Sequence, residues 1–167
     1  MYSIPAGAPA DMYQAFAYIG TVSRPSVSDL QLMVLLESAG KVMYDGMAAS
    51  SGDERIKVLL GACADEELLH AQRVSEALSI MGVSYPVPAP AENPYLLGLQ
   101  PPTLTLDLVK HLAKAEFGGE DMYGGWANRC AHPAAAALFR LNGAEETRHG
   151  ERLEQVAALM EEADDGA

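Results

Sequence analysis

The sequence predicts an all-α protein: a four-helix bundle of two antiparallel hairpins joined by a long proline-rich crossover. Three observations carry that expectation. Four long segments repeat apolar residues at spacings of three and four, the period of a helix with one buried face, and β signals are weak throughout. Short loops separate the first from the second segment and the third from the fourth, which makes each pair antiparallel neighbours. Between the pairs lies "GVSYPVPAPAENPYLLGLQPPTLT", where repeated proline removes backbone donors and excludes a regular helix. A connection this long is unusual inside a compact domain, but a bundle needs one to run from the end of its second helix back along its length.

Each element has its own start and stop signals. Residues 1–27 hold a short helix around Asp11 to Ile19, rich in Tyr and Ala, whose expected role is packing or an oligomer contact. The first long helix follows "RPSVSD", where Ser28 and Gln31 have capping-box spacing, and runs to about Ala49. The second opens at "SSGDE", with Ser51 and Glu54 at the same spacing, runs to about Met81 and is ended by Gly82. The crossover occupies 82–104. The third helix runs from near Thr105 to about Arg129. The fourth starts at "HPAAAA", with Pro133 in its first turn, and ends near Met160, leaving an acidic tail at 162–167. The expected bundle domain is therefore 28–161.

Composition narrows the function. At 167 residues the chain is one domain that needs no staples. A net charge of −12 argues against nucleic acid or an anionic membrane as partner, since both need a basic patch, and favours small cations. No stretch approaches the ~20 apolar residues that span a bilayer, and the N-terminus lacks a basic leader, so a cytoplasmic, non-exported protein is expected. Cys63 and Cys130 lie far apart with no C-x-x-C pair, and reduced thiols are expected.

An internal repeat locates the chemistry. A shift of 79 residues lays "ESAGKVMYDGMA" on "EFGGEDMYGGWA", matching Glu37 with Glu116 and Tyr44 with Tyr123. The same shift lays "EELLHAQR" on "EETRHGER", matching Glu67 with Glu146 and His70 with His149. On the second helix the inward stripe Ile56, Leu59, Leu60, Cys63, Glu67, His70, Val74, Ala77, Met81 is apolar apart from Glu67 and His70. On the fourth, Leu138, Asn142, Glu146, His149, Leu153, Val156, Met160 is again broken by one Glu and one His. Glu37 and Glu116 continue the inward stripes of the first and third helices. Four ionised carboxylates cannot share a dry core unpaired, because each buried charge costs several kcal/mol or is neutralised by a shifted pKa. Two divalent or trivalent cations satisfy them. One Glu from each of two helices plus Glu-x-x-His from each of the other two is the ligand set of a dinuclear carboxylate site.

In this reading Glu67 and His70, one turn apart, share a metal, as do Glu146 and His149, while Glu37 and Glu116 complete the pocket as terminal or bridging ligands. Tyr44 and Tyr123 lie two turns beyond Glu37 and Glu116 on the same face, where a phenol reaches a ligand carboxylate, and core filling is the other reading of both. Glu66 and Glu145, one position off the stripe, point toward solvent or toward Arg73, Arg148 and Arg152. Met43, Met122 and Trp126 read as packing, and Gly40, Gly46, Gly119 and Gly125 as points of close helix approach. Oxygen-rich ligation with two imidazoles suits iron or manganese, with zinc able to occupy the same site.

Through "LLESAGKVMY", "DEELLHA", "AEFGGEDMY" and "EETRHGE", residues 30–160 resemble the ferritin-like di-iron superfamily, and within it the rubrerythrin-type domain. The resemblance implies two iron ions per chain held by Glu37, Glu67, His70, Glu116, Glu146 and His149, with Tyr44 and Tyr123 beside them as the catalytic candidates. It implies an oxidoreductase that reduces hydrogen peroxide or dioxygen, re-reduced by a small electron-transfer protein, and a homodimer. Two departures stand out. Rubrerythrins carry a further Glu on the third helix where this chain has Gly119, with Glu120 one residue on as the candidate substitute. They also carry a four-cysteine rubredoxin-like domain that is missing here, so electrons come from a separate partner or from incoming Fe(II). A ferroxidase or storage subunit and a di-iron monooxygenase are the alternatives, alongside a bundle with an idle site.

Overall fold

A computed structural model describes residues 2–100 and 102–165. Five α-helices follow in order: α1 (Met12–Ile19), α2 (Val27–Ser50), α3 (Glu54–Ile80), α4 (Leu106–Arg129) and α5 (Pro133–Asp165). The last four pack as two hairpins, α2 with α3 and α4 with α5, and α3 lies against α5 through the middle of the bundle. No strand occurs among the described residues. None of the helices is long and apolar enough to cross a membrane.

The helix signals held in kind and moved in detail. Ser26, not Ser28, caps α2: its side chain accepts from Asp29 N while Asp29 reaches back to the Ser26 backbone N–H. Asp29 also accepts from the Tyr18 hydroxyl at 2.8 Å, so this box ties α1 to α2, which Gln31 could not do. Asp53 rather than Ser51 caps α3, accepting from Arg55 N at 2.8 Å, because a carboxylate next to the orphan amides is the stronger acceptor. Thr105 caps α4 as expected. Gly82, at φ +84, closes α3: Val83 N donates to Leu78 O and Gly82 N to Ser79 O, a left-handed ending that needs glycine. At its C-terminal end, α5 continues through Asp165, so much of the expected tail is helical, and residues 166–167 lie outside the described part.

The crossover is irregular but anchored. It contains two single-turn 3-10 helices, Pro90–Glu92 and Pro94–Leu96, and between them Asn93 is fully buried. The Asn93 amide donates to Leu35 O at 2.8 Å and to Ser38 Oγ at 2.9 Å, and its carbonyl oxygen accepts from Tyr95 N. Tyr95 in turn donates to Pro9 O and Tyr2 to Pro86 O, which straps the N-terminal segment over the crossover. These layers, with Met12, Ala15 and Ile19 of α1, cover α2 so fully that every residue from Leu32 to Ala39 is buried. Among the described residues no such cover lies on α4, where none of residues 114–122 is buried. Both cysteines are free, and burial pushes the Cys63 thiol up to about 11.

Asn93→Ala removes three hydrogen bonds from a dry site and should lower stability by about 1–3 kcal/mol in urea unfolding, whereas Ser84→Ala on the exposed crossover should change it by less than about 0.5 kcal/mol. Equal effects would mean that Asn93 does not anchor the crossover.

Candidate metal centre

The two Glu-x-x-His pairs meet in the middle of the bundle. Glu67, His70, Glu146 and His149 are all buried, and a ligand atom from each lies within 4.8 Å of the others. The imidazoles stack at 5.1 Å between ring centroids. Each ring turns its Nδ1 inward. His70 Nδ1 is 3.3 Å from Glu146 and 3.7 Å from Glu37, while His149 Nδ1 is 3.3 Å from Glu67, 3.5 Å from Glu146 and 3.7 Å from Glu116. All six sequence-selected residues therefore converge. Their grouping crosses the hairpins: the nearest carboxylate to each Nδ1 belongs to the opposite Glu-x-x-His pair, which puts Glu67 and Glu146 at the centre and Glu37 and Glu116 at the two ends.

Residues around the six hold them by a second set of crossed contacts. Tyr123 on α4 donates to Glu37 on α2, and Tyr44 on α2 donates to Glu116 on α4. Each tyrosine thus serves the carboxylate of the other hairpin. Burial, reinforced by the carboxylate each one faces, raises both phenols well above their ordinary range, so both remain donors. His70 Nε2 lies 3.1 Å from Glu145 on α5, and His149 Nε2 lies 3.2 Å from Glu66 on α3.

Sequence reasoning sent Glu66 and Glu145 to the arginines, and they do pair with Arg152 at 2.7 Å and Arg73 at 2.5 Å. Their grip on the imidazoles was missed. The repeat aligns Glu66 with Glu145 as clearly as it aligns the six cluster residues, and that was the available signal. Glu145 accepts from His70 Nε2, which turns that ring's Nδ1 toward the cluster, whereas His149 Nε2 lies 3.2 Å from Glu66 without making a hydrogen bond.

The glycines sit where the central carboxylates need room. A Cβ at Gly40 would meet Glu67 Cδ at 2.9 Å, and one at Gly119 would meet Glu146 Cγ at 2.8 Å. Position 119 has no space for a further ligand. The Glu120 carboxylate is exposed and accepts from Thr147 Oγ1 at 2.5 Å, turned away from the cluster. Gly125 is close only to the Arg129 side chain.

Protonation follows from this crowding. Burial works against a charged imidazole, but Glu145, Glu146 and Glu37 outweigh it and push His70 up to about 12. Glu116, Glu146 and Glu67 overcome burial in the same way to raise His149. Burial, then Glu37, pushes Glu67 well above the usual carboxylate range, and burial with Glu146 takes Glu116 up to about 7. Glu146 moves the other way: burial opposes its charge, but both histidines hold it low. Without cations, protons balance the carboxylates.

A cation fits this donor set. His70 Nδ1 and His149 Nδ1 are buried without a hydrogen-bond partner, and oxygen ligands face both. Oxygen and imidazole donors together suit a divalent or trivalent cation above a soft one. Comparison with protein-family models, with curated proteins and with solved structures finds no match to this chain.

Two outcomes are expected. Gly119→Ala should destabilise by about 1–3 kcal/mol through the clash with Glu146 and weaken cation binding, while neighbouring Gly118→Ala, with open space around it, should stabilise the helix by about 0.5–1 kcal/mol. The second concerns protons. Since the raised imidazoles and Glu67 carry protons at neutral pH, cation uptake must release them and must weaken as pH falls. Calorimetric Mn(II) titration in buffers of different ionisation enthalpy measures that release, and buffer-independent heats would contradict it.

Proposed function

We propose that this chain is a di-iron carboxylate oxidoreductase of the rubrerythrin kind, reducing hydrogen peroxide or dioxygen with electrons from a separate donor protein. The observation that carries the reading is the pair of buried, unpartnered Nδ1 atoms facing four carboxylates from four helices. Glu37, Glu67, His70, Glu116, Glu146 and His149 would hold the two ions, which in the ferrous state would supply one electron each to the O–O bond.

The chain's own residues do the remaining work. Glu145 fixes the tautomer and ring plane of His70 and Glu66 stands behind the His149 ring, while Tyr44 and Tyr123 hold the two end carboxylates and keep a phenolic proton beside each. Buried apolar side chains on either side of the cluster, among them Leu36, Leu60, Phe139 and Leu153, keep water from it. Access is uneven. Glu116 has 15% of its side chain exposed against 3% for Glu37, and it lies on the uncovered stretch of α4, so a small oxidant arrives on that side. A homodimer is the assembly we expect.

A ferroxidase role is the second reading. Gly119 and the outward Glu120 favour it, because the further carboxylate of the rubrerythrins is absent from the cluster. Storage would require a hollow shell, which light scattering would reveal.

Anaerobic loading with Fe(II) should give two irons per chain, and peroxide should oxidise them faster than dioxygen does. Glu67→Ala or Glu146→Ala should reduce the iron content below that of the parent chain. Absence of bound iron would remove the oxidoreductase and ferroxidase readings together, and faster oxidation by dioxygen with shell formation would select the ferroxidase.

A further inference from the structure

We propose that Tyr123 and Trp126 form a one-electron relay between the Glu/His cluster and the bundle surface near Val22. Tyr123 is fully buried, donates to Glu37, and has its ring 6.4 Å from that of His70. One turn along α4, the Trp126 ring stands 5.3 Å from Tyr123 at 74°, and Phe139 packs against both at 6.2 and 5.9 Å. Trp126 is the chain's one tryptophan. Its indole N–H donates to Val22 O at 2.6 Å, and Val22 is partly exposed.

Tyrosine and tryptophan are side chains readily oxidised by one electron with no change beyond the loss and recovery of a proton. Two of them in ring contact, inside an apolar sleeve, shorten one long electron step into two short ones. The internal repeat sharpens the point. Tyr44 matches Tyr123, but Met47 stands where Trp126 would be expected, so the route exists on one side of the cluster alone. That side is the covered one, away from the partly buried Glu116, which separates the path of electrons from the path of the oxidant.

The step balances. With the oxidised metal pair of the proposed function as the acceptor, Tyr123 would give up one electron and pass its phenolic proton to the Glu37 carboxylate it already faces. Trp126 then passes one electron to the phenoxyl, which recovers its proton from Glu37. The indole radical cation is refilled by the external one-electron donor, so neither side chain is consumed. Use of the relay in turnover rests on the redox reading given above, but its existence can be tested without metal.

Pulse radiolysis of the full-length chain with azide radicals, which oxidise indole in preference to phenol, places the electron hole on Trp126. The tryptophan radical should decay in a first-order phase, independent of protein concentration, while tyrosyl absorption rises. Tyr123→Phe should abolish that phase and Tyr13→Phe, on the surface, should keep it. Should Tyr123→Phe fail to fold, Trp126→Phe reports instead, because tyrosyl radicals should then form only in second-order reactions. No first-order transfer, or transfer that survives Tyr123→Phe, overturns the relay. Iron content, measured separately, decides the redox reading, so the two can fail independently.

Discussion

Four carboxylates drawn into the centre of a helical bundle set the terms for everything around them. Like charges at 3–4 Å from shared neighbours cannot all ionise in a medium that screens poorly, and the two imidazoles can balance only half of them. The metal-free chain answers with protons: raised histidines and a Glu67 held neutral. A well-packed apolar core would avoid the problem altogether, and the chain shows that it can build one, since Leu60, Cys63, Val74 and Leu153 occupy the same stripes. Carboxylates at these positions are a standing expense in stability, and a bound cation is the physical circumstance that reverses its sign.

Closure of the cluster depends on both hairpins at once. Tyr44 and Tyr123 each reach across to the opposite Glu, and Glu66 and Glu145 each reach across to the opposite imidazole. Each hairpin thus completes the cluster residues of the other. The crossed pattern is a pseudo-two-fold arrangement, and its consequence is that loss of either half would leave the other with unpartnered buried charge. Glycine at 40 and 119 belongs to the same design, since each lets its hairpin close over the central carboxylate it carries.

Much of this was readable in advance. Helical period marks the inward stripe, the 79-residue shift picks out Glu, Tyr, Glu and His twice, and electrostatics requires either protons or cations to balance the carboxylates. What escaped was contact between helices. Helical period tells which way Glu66 points from α3 but not how far its carboxylate reaches across α5, so its contact with His149 behind the ring was invisible although its pairing with Arg152 was anticipated. Caps were misplaced for a related reason: Ser26 and Ser28 both have a polar partner three residues on, and the choice falls to Ser26 because Tyr18 of α1 also bonds Asp29. The cover over α2 was likewise unreadable, because proline-rich sequence states that a segment is irregular and not where it lies.

That cover is where the symmetry of the repeat ends, and the asymmetry is directional. With α1, the N-terminal segment and the crossover over α2, the Glu37 end of the cluster is sealed, and Asn93 keeps the seal in register through Leu35 and Ser38. With no described residue covering the middle of α4, the Glu116 end stands nearer to water than the Glu37 end. Two ends that match residue for residue in sequence are thereby made unequal in solvation. The difference comes from segments outside the repeat. A bundle of two identical hairpins would have either two sealed ends, closed to any reactant, or two open ones, each leaking water onto its ligands. Covering one end alone gives a cluster that is held dry by most of its surroundings and still meets the outside along one helix.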